Sequence, residues 1–77
     1  MIDAEKVKNR LVNAWHRSGL TQLELARRVD MSPTQLNGYM RGRYVPSTEN
    51  LYKICHECGA SVDDVLDGAI TYEGWKE

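Results

Sequence analysis

The sequence has no phenylalanine, only two prolines and two cysteines, and a formal net charge of −1 over 77 residues. Each shortage narrows the field. Without Phe, and with aromatics at 8%, the core must be built on Leu, Val and Ile, which suits a small helical bundle. No apolar run approaches the ~18 residues that a membrane-spanning helix needs. The N-terminal stretch MIDAEKVKNR is charged and lacks the apolar centre of a signal peptide, so the protein is expected to stay in the cytosol. No repeat, low-complexity tract or strand pattern is present. There is no nucleophile–base grouping, phosphate loop or paired-carboxylate site, and His16 and His56 are isolated, so an enzyme is not expected.

The two cysteines form a lone CxxC, Cys55-His56-Glu57-Cys58. A structural zinc site needs four ligands, and the chain offers only these thiols with His56 and His16. Helical spacing instead puts both thiols on a core face, where free Cys serves as a small apolar residue. The expectation is packing, with no metal and no cofactor.

The chain is short enough for one domain. A domain of this size buries only ~60% of the surface its unfolded chain exposes, so its core is thin. The small net charge hides an asymmetry. Residues 1–46 carry eight Lys/Arg against four Asp/Glu, a net of +4; residues 47–77 carry two against seven, a net of −5. A basic half and an acidic half suggest a polyanionic partner for the first.

That basic half contains TQLELARRVDMSPTQLNGYMRGR, residues 21–43. Leu25, Ala26 and Val29 fall on one helical face. Thr21 is a natural N-cap, and Glu24 three residues later completes a capping-box pattern. Asp30 and Met31 break the period. Ser32 then caps a second helix, with Pro33 at its first position. Leu36, Tyr39 and Met40 repeat at helical spacing, and Gly42 is a stop signal.

Two short amphipathic helices joined by so tight a break read as a helix-turn-helix, whose second helix enters the DNA major groove. The chain resembles the phage repressor and Cro family of DNA-binding domains (the XRE or Cro/C1 type). The resemblance rests on Gln22, Leu25, Ala26, Val29, Met31, Leu36 and Tyr39, with Arg41-Gly42 and Pro46 downstream, and extends over roughly Lys6 to Gly68. It implies a compact, all-α, five-helix domain of the lambda-repressor-like type, over residues 1–67, and a C-terminal tail, 68–77.

The remaining elements fit that expectation. A first helix is expected from about Asp3 to Arg17, with Val7, Leu11, Ala14 and Trp15 inward and Gly19 at its end. A fourth is capped by Ser47 and runs to about Cys58, with Leu51, Ile54, Cys55 and Cys58 inward and Gly59 as its stop. Ser61 opens a fifth, with Asp64 in a capping-box position and Val62, Val65 and Leu66 closing the core.

On the second helix of the motif, Thr34, Gly38 and Arg41 share the face opposite the core, with Gln35 and Asn37 on its flanks. Gln and Asn can pair with adenine, Arg with guanine, and a Thr methyl can touch a thymine methyl. By resemblance, the family's base contacts fall on Pro33, Thr34, Gln35 and Gly38. A glycine inside a helix is costly, and Gly38 reads either as close approach to the groove or as an ordinary helix defect. The resemblance also places Gln22 against a DNA phosphate. Ser32, Arg43 and Tyr44 are further phosphate candidates, while Arg27 and Arg28 fit a solvated face equally well. Two departures stand out. Asp30 replaces the turn glycine of the family, and Trp15 with Met40 replaces a buried Arg–Glu pair.

What the resemblance implies for function is sequence-specific binding of double-stranded DNA by a homodimer: a phage or bacterial repressor on a palindromic operator. An autoregulatory antitoxin or restriction-modification controller, and an interaction module that has lost DNA binding, are the alternatives. The dimer surface is expected at Val62, Val65, Ile70, Tyr72 and Trp75. The tail reads as dimer contact, as an anchor on its own domain, or as the start of a linker.

Overall fold

The structure, a computed structural model, describes residues 3–67. The described residues form five α-helices and no strand: α1 Ala4–Ser18, α2 Gln22–Arg28, α3 Pro33–Met40, α4 Thr48–Cys58 and α5 Val62–Leu66. α1 packs against α3, α4 and α5, while α2 rests on α3 and α4. Leu11, Leu25, Leu36 and Ile54, each 0% exposed, are the centre of one core that every helix reaches. Val7, Cys55 and Val65 extend it. This is the all-α, lambda-repressor-like architecture expected from the sequence.

Every helix starts on a polar cap. Asp3, Thr21, Ser32, Ser47 and Ser61 each accept a hydrogen bond from a backbone N–H of the first turn. These bonds satisfy donors that the helix itself leaves unpaired. At α2 the capping box is complete: Glu24 donates its N–H to Thr21 Oγ1, and its carboxylate accepts from the Thr21 N–H. The Thr21 backbone N–H, and secondarily its side chain, hold the Glu24 carboxyl below its ordinary pKa. At α5 the expected box does not form. Ser61 Oγ accepts from the Asp63 N–H instead of reaching Asp64, a tighter local turn that a short helix tolerates.

Three helix ends share one device. Met31, Arg43 and Ala60 donate their N–H groups back to the carbonyls of Ala26, Gly38 and Cys55, five residues earlier. Each closure needs a left-handed residue just before the donor. Gly42 and Gly59 supply it at φ 76° and 70°, and Asp30 supplies it at φ 55°, the one non-glycine residue with positive φ among those described. The turn between α2 and α3 thus keeps the backbone that glycine would give, at a cost of ~1–2 kcal/mol in local strain.

Trp15 is half-buried at the rim of the core. Its Nε1–H donates to the Leu20 carbonyl at 2.8 Å, and Ser18 Oγ donates to the Trp15 carbonyl while accepting from the Leu20 N–H. The departure at Trp15 therefore serves the α1–α2 loop, which sets where α2 begins. Cys58, expected inward, is likewise half-buried, one turn beyond the buried Cys55.

Candidate nucleic-acid interface

α3 is held by its inner face and offers its outer one. Leu36, Tyr39 and Met40 are buried against the core, whereas Ser32, Pro33, Thr34 and Arg41 are exposed. α2 lies behind α3 and brings Gln22 beside it: Asn37 Nδ2 donates to Gln22 Oε1 at 3.3 Å. That bond uses the acceptor of Gln22 and leaves its NH2 group for a phosphate. Asn37 is therefore a partner of Gln22 in the protein, half-buried beside the outer row. Ser32 Oγ accepts from the Gln35 N–H at 3.0 Å, so its own hydroxyl hydrogen remains for an anion.

Gln35 has a second attachment. Its Nε2 donates to Tyr39 Oη at 3.0 Å, and Asn50 Nδ2 of α4 donates to the same oxygen at 2.9 Å. The pairing of Gln35 with Tyr39 was accessible from their i, i+4 spacing. Asn50 was not, because nothing local links a residue of α4 to α3. Together these bonds tie α3 to α4.

Two expected positions need correction. Gly38 does not lie open on the outer face. It is buried, and a Cβ placed on it would lie 2.5 Å from Tyr44 Oη. The ring of Tyr44 covers it, so close approach of DNA to a bare backbone is not its reason for being glycine. Val65 is only 2% exposed within its own domain and cannot offer surface to a second copy. Val62 is half-buried on the same core, and Ile70, Tyr72 and Trp75 lie outside the described residues.

The cations also sort themselves. Arg28 lies 4.0 Å from Glu57 of α4, and Arg10 donates to the Val65 carbonyl at 3.3 Å. The first is an exposed pair worth little, but both draw charge towards the body of the domain. Arg41 and Arg43 are exposed beside α3.

The CxxC thiols pack: Cys55 is 1% exposed in the core, and Cys58 lies partly buried against it. Burial, and secondarily the neighbouring Cys58, push the Cys55 thiol up to about 11. Burial also raises Cys58, against the nearby Ser18 hydroxyl, which lowers it. Both thiols are therefore protonated at neutral pH. A thiol whose folded pKa is raised contributes stability that is full below its unfolded pKa and lost as pH climbs to the folded value. Between pH ~9 and ~11 the Cys55 contribution should fall by about 3 kcal/mol at most. Melting curves across that range should drop more steeply for the parent protein than for Cys55→Ala, and parallel curves would contradict the assignment.

With this geometry the chain can be set beside known proteins. A helix-turn-helix family model matches residues 17–65. The chain belongs to this family, the XRE/Cro-C1 type of DNA-binding transcription regulators. Among solved structures, the clp gene regulator ClgR from C. glutamicum is similar, with 38% sequence identity, a TM-score of 0.78 and 90% of each chain covered. A search of curated proteins brings up no match. No described helix is long and apolar enough to cross a membrane.

Proposed function

We propose that the protein regulates transcription by binding a palindromic operator in double-stranded DNA as a homodimer, with α3 in the major groove and repression of a bacterial promoter as the outcome. One observation carries this reading. The exposed residues of α3 begin at its N-terminal end with Pro33 and Thr34, while Leu36, Tyr39 and Met40 lock its other face to the core. An N-terminal end held outward on a rigid support is how a recognition helix reaches base edges. Thr34, Gln35 and Arg41 are the base readers in this proposal, with Pro33 beside them; Gln22, Ser32 and Arg43 hold phosphates. The similarity to a clp gene regulator supports a bacterial gene as the target.

A single motif spans too few base pairs to select one site in a genome, which is the reason for a dimer. Val62 and the tail, with Ile70, Tyr72 and Trp75, are the proposed contact. Selection from randomised duplexes should return two inverted half-sites with centres ~34 Å apart. On that operator Thr34→Ala should cost ~1–3 kcal/mol and relax one base position, whereas Arg43→Ala should weaken all sequences alike. Selection of a single unrepeated site, bound by a protein that sediments as a monomer on it, would refute the dimer.

A further inference from the structure

Position 38 stands four residues after the exposed Thr34, on the same side of α3. A side chain there would project towards the groove, yet the residue is glycine. The space is occupied all the same. A Cβ at Gly38 would meet Tyr44 Oη at 2.5 Å and Tyr44 Cε2 and Cζ at 2.6 Å, so the Cα–Cβ direction runs into the tip of the phenol. Tyr44 comes from the loop after α3, and that loop is fastened. The Arg43 N–H donates to the Gly38 carbonyl at 2.9 Å, and Pro46, two residues after the tyrosine, is buried. The ring stands edge-on to Tyr39, with centroids 5.5 Å apart and planes at 89°. Tyr39 is in turn fixed through its hydroxyl by Gln35 and Asn50. Tyr44 nevertheless remains 50% exposed, and its hydroxyl bonds to none of the described residues.

We propose that Tyr44 is a specificity-determining residue: its phenol stands in for the side chain that position 38 lacks, and its hydroxyl meets a base edge in the major groove. The proposal rests on α3 being the groove helix, as proposed above. A phenol hydroxyl both donates and accepts, so it can answer either kind of base-edge atom. A ring already held on Tyr39 gives up little freedom when it binds, which favours discrimination over mere adhesion. Gly38 and Tyr44 then form one unit. The glycine is there because the tyrosine lies on it.

The test compares the full chain with Tyr44→Phe, Tyr44→Ala, Gly38→Ala and the double variant Gly38→Ala/Tyr44→Ala, on selected operators and on random duplex. Loss of one hydroxyl contact in each half-site should weaken dimer binding to the operator by Tyr44→Phe ~10- to 100-fold, with little change on random DNA. The same base pair in each half-site should lose its preference. Gly38→Ala should relax that base pair too, by pushing the phenol aside, and should add nothing in the Tyr44→Ala background. A second arm needs no DNA. Alanine is the better helix former, but in the parent its gain is offset by the displaced ring. Gly38→Ala should therefore raise the melting temperature more in the Tyr44→Ala background than in the parent. Equal losses on operator and random DNA would make Tyr44 a phosphate contact and overturn the proposal, as would additive melting shifts or unchanged base selection by Tyr44→Phe. If the parent protein selects no sequence, the groove reading of α3 falls and takes this assignment with it; if the parent selects a site and only the Tyr44 outcomes fail, the groove reading stands.

Discussion

Raising monovalent salt from ~50 to ~200 mM should weaken operator binding by roughly 250- to 1,000-fold. The figure follows from the placement of the arginines. Arg43 beside α3 and Arg27 on α2 are exposed in each protomer, giving four phosphate contacts in a dimer, and the charge of Arg41, reaching into the groove between the phosphates, would make six. Arg10 is held on the Val65 carbonyl, and Arg28 lies towards Glu57 of α4. Four to six neutralised phosphates give a slope of log K against log[salt] of about −4 to −5. Binding isotherms at several salt concentrations measure it directly. Arg43→Ala should make the slope shallower by ~2 per dimer, one phosphate from each protomer, without changing which sequence is preferred. A slope flatter than about −2 would mean that the basic half does not face the phosphates.

This electrostatic term must act in a protein whose total charge is −1. It can, because the charges are separated along the chain. The acidic residues of α5, Asp63 and Asp64, lie beyond the motif, at the far end of the described fold from α2 and α3 in sequence. Net charge alone would have pointed away from nucleic acid. The distribution is what bears on the interface, since screening confines each charge to a neighbourhood of ~10 Å at 0.1 M salt.

The helices were legible because their ends are written locally. Ser, Thr or Asp before each first turn, and Gly19, Gly42 and Gly59 after three of the last turns, are short-range signals that need no tertiary contact. Asp30 was legible through the resemblance alone, which places a glycine at this point of the turn and so implies the left-handed backbone that Asp30 adopts. The interface was legible only in outline. The face of α3 follows from helical period, which gave Thr34 and Arg41 correctly as exposed. Period cannot reveal that Tyr44 folds back over Gly38, that Asn50 reaches Tyr39, or that Asn37 meets Gln22. Those pairings depend on how loop and helices dock. Val65 shows the same limit from the other side. An apolar residue on a short terminal helix can serve a core or a partner, and only packing against α1 and α4 decides for the core.

The largest effect on stability should come from Leu36→Ala. Leu36 is 0% exposed and lies on the inner face of α3, in a core cluster to which every helix contributes, with α1 and α2 packed against α3. Truncating such a leucine removes its transfer free energy and leaves a cavity, typically ~2–5 kcal/mol together. A 77-residue domain has a total stability of only about 4–12 kcal/mol, at roughly 0.05–0.15 kcal/mol per residue. One substitution thus removes a large share of the whole, and the melting temperature should fall by at least ~10 °C. Leu23, two residues before the buried Leu25, is the control: it is 48% exposed, and Leu23→Ala should change stability by no more than ~0.5 kcal/mol. Thermal melts of the two variants separate the core face of the motif from its solvent face. Leu36 does not point at the groove, so Leu36→Ala should keep its operator preference at temperatures where it is still folded. It should lose binding along its own unfolding curve as the sample warms. A variant that melts like the parent, or that stays folded and loses only DNA, would mean that α3 is not anchored through this side chain and that the recognition face has been assigned to the wrong side of the helix.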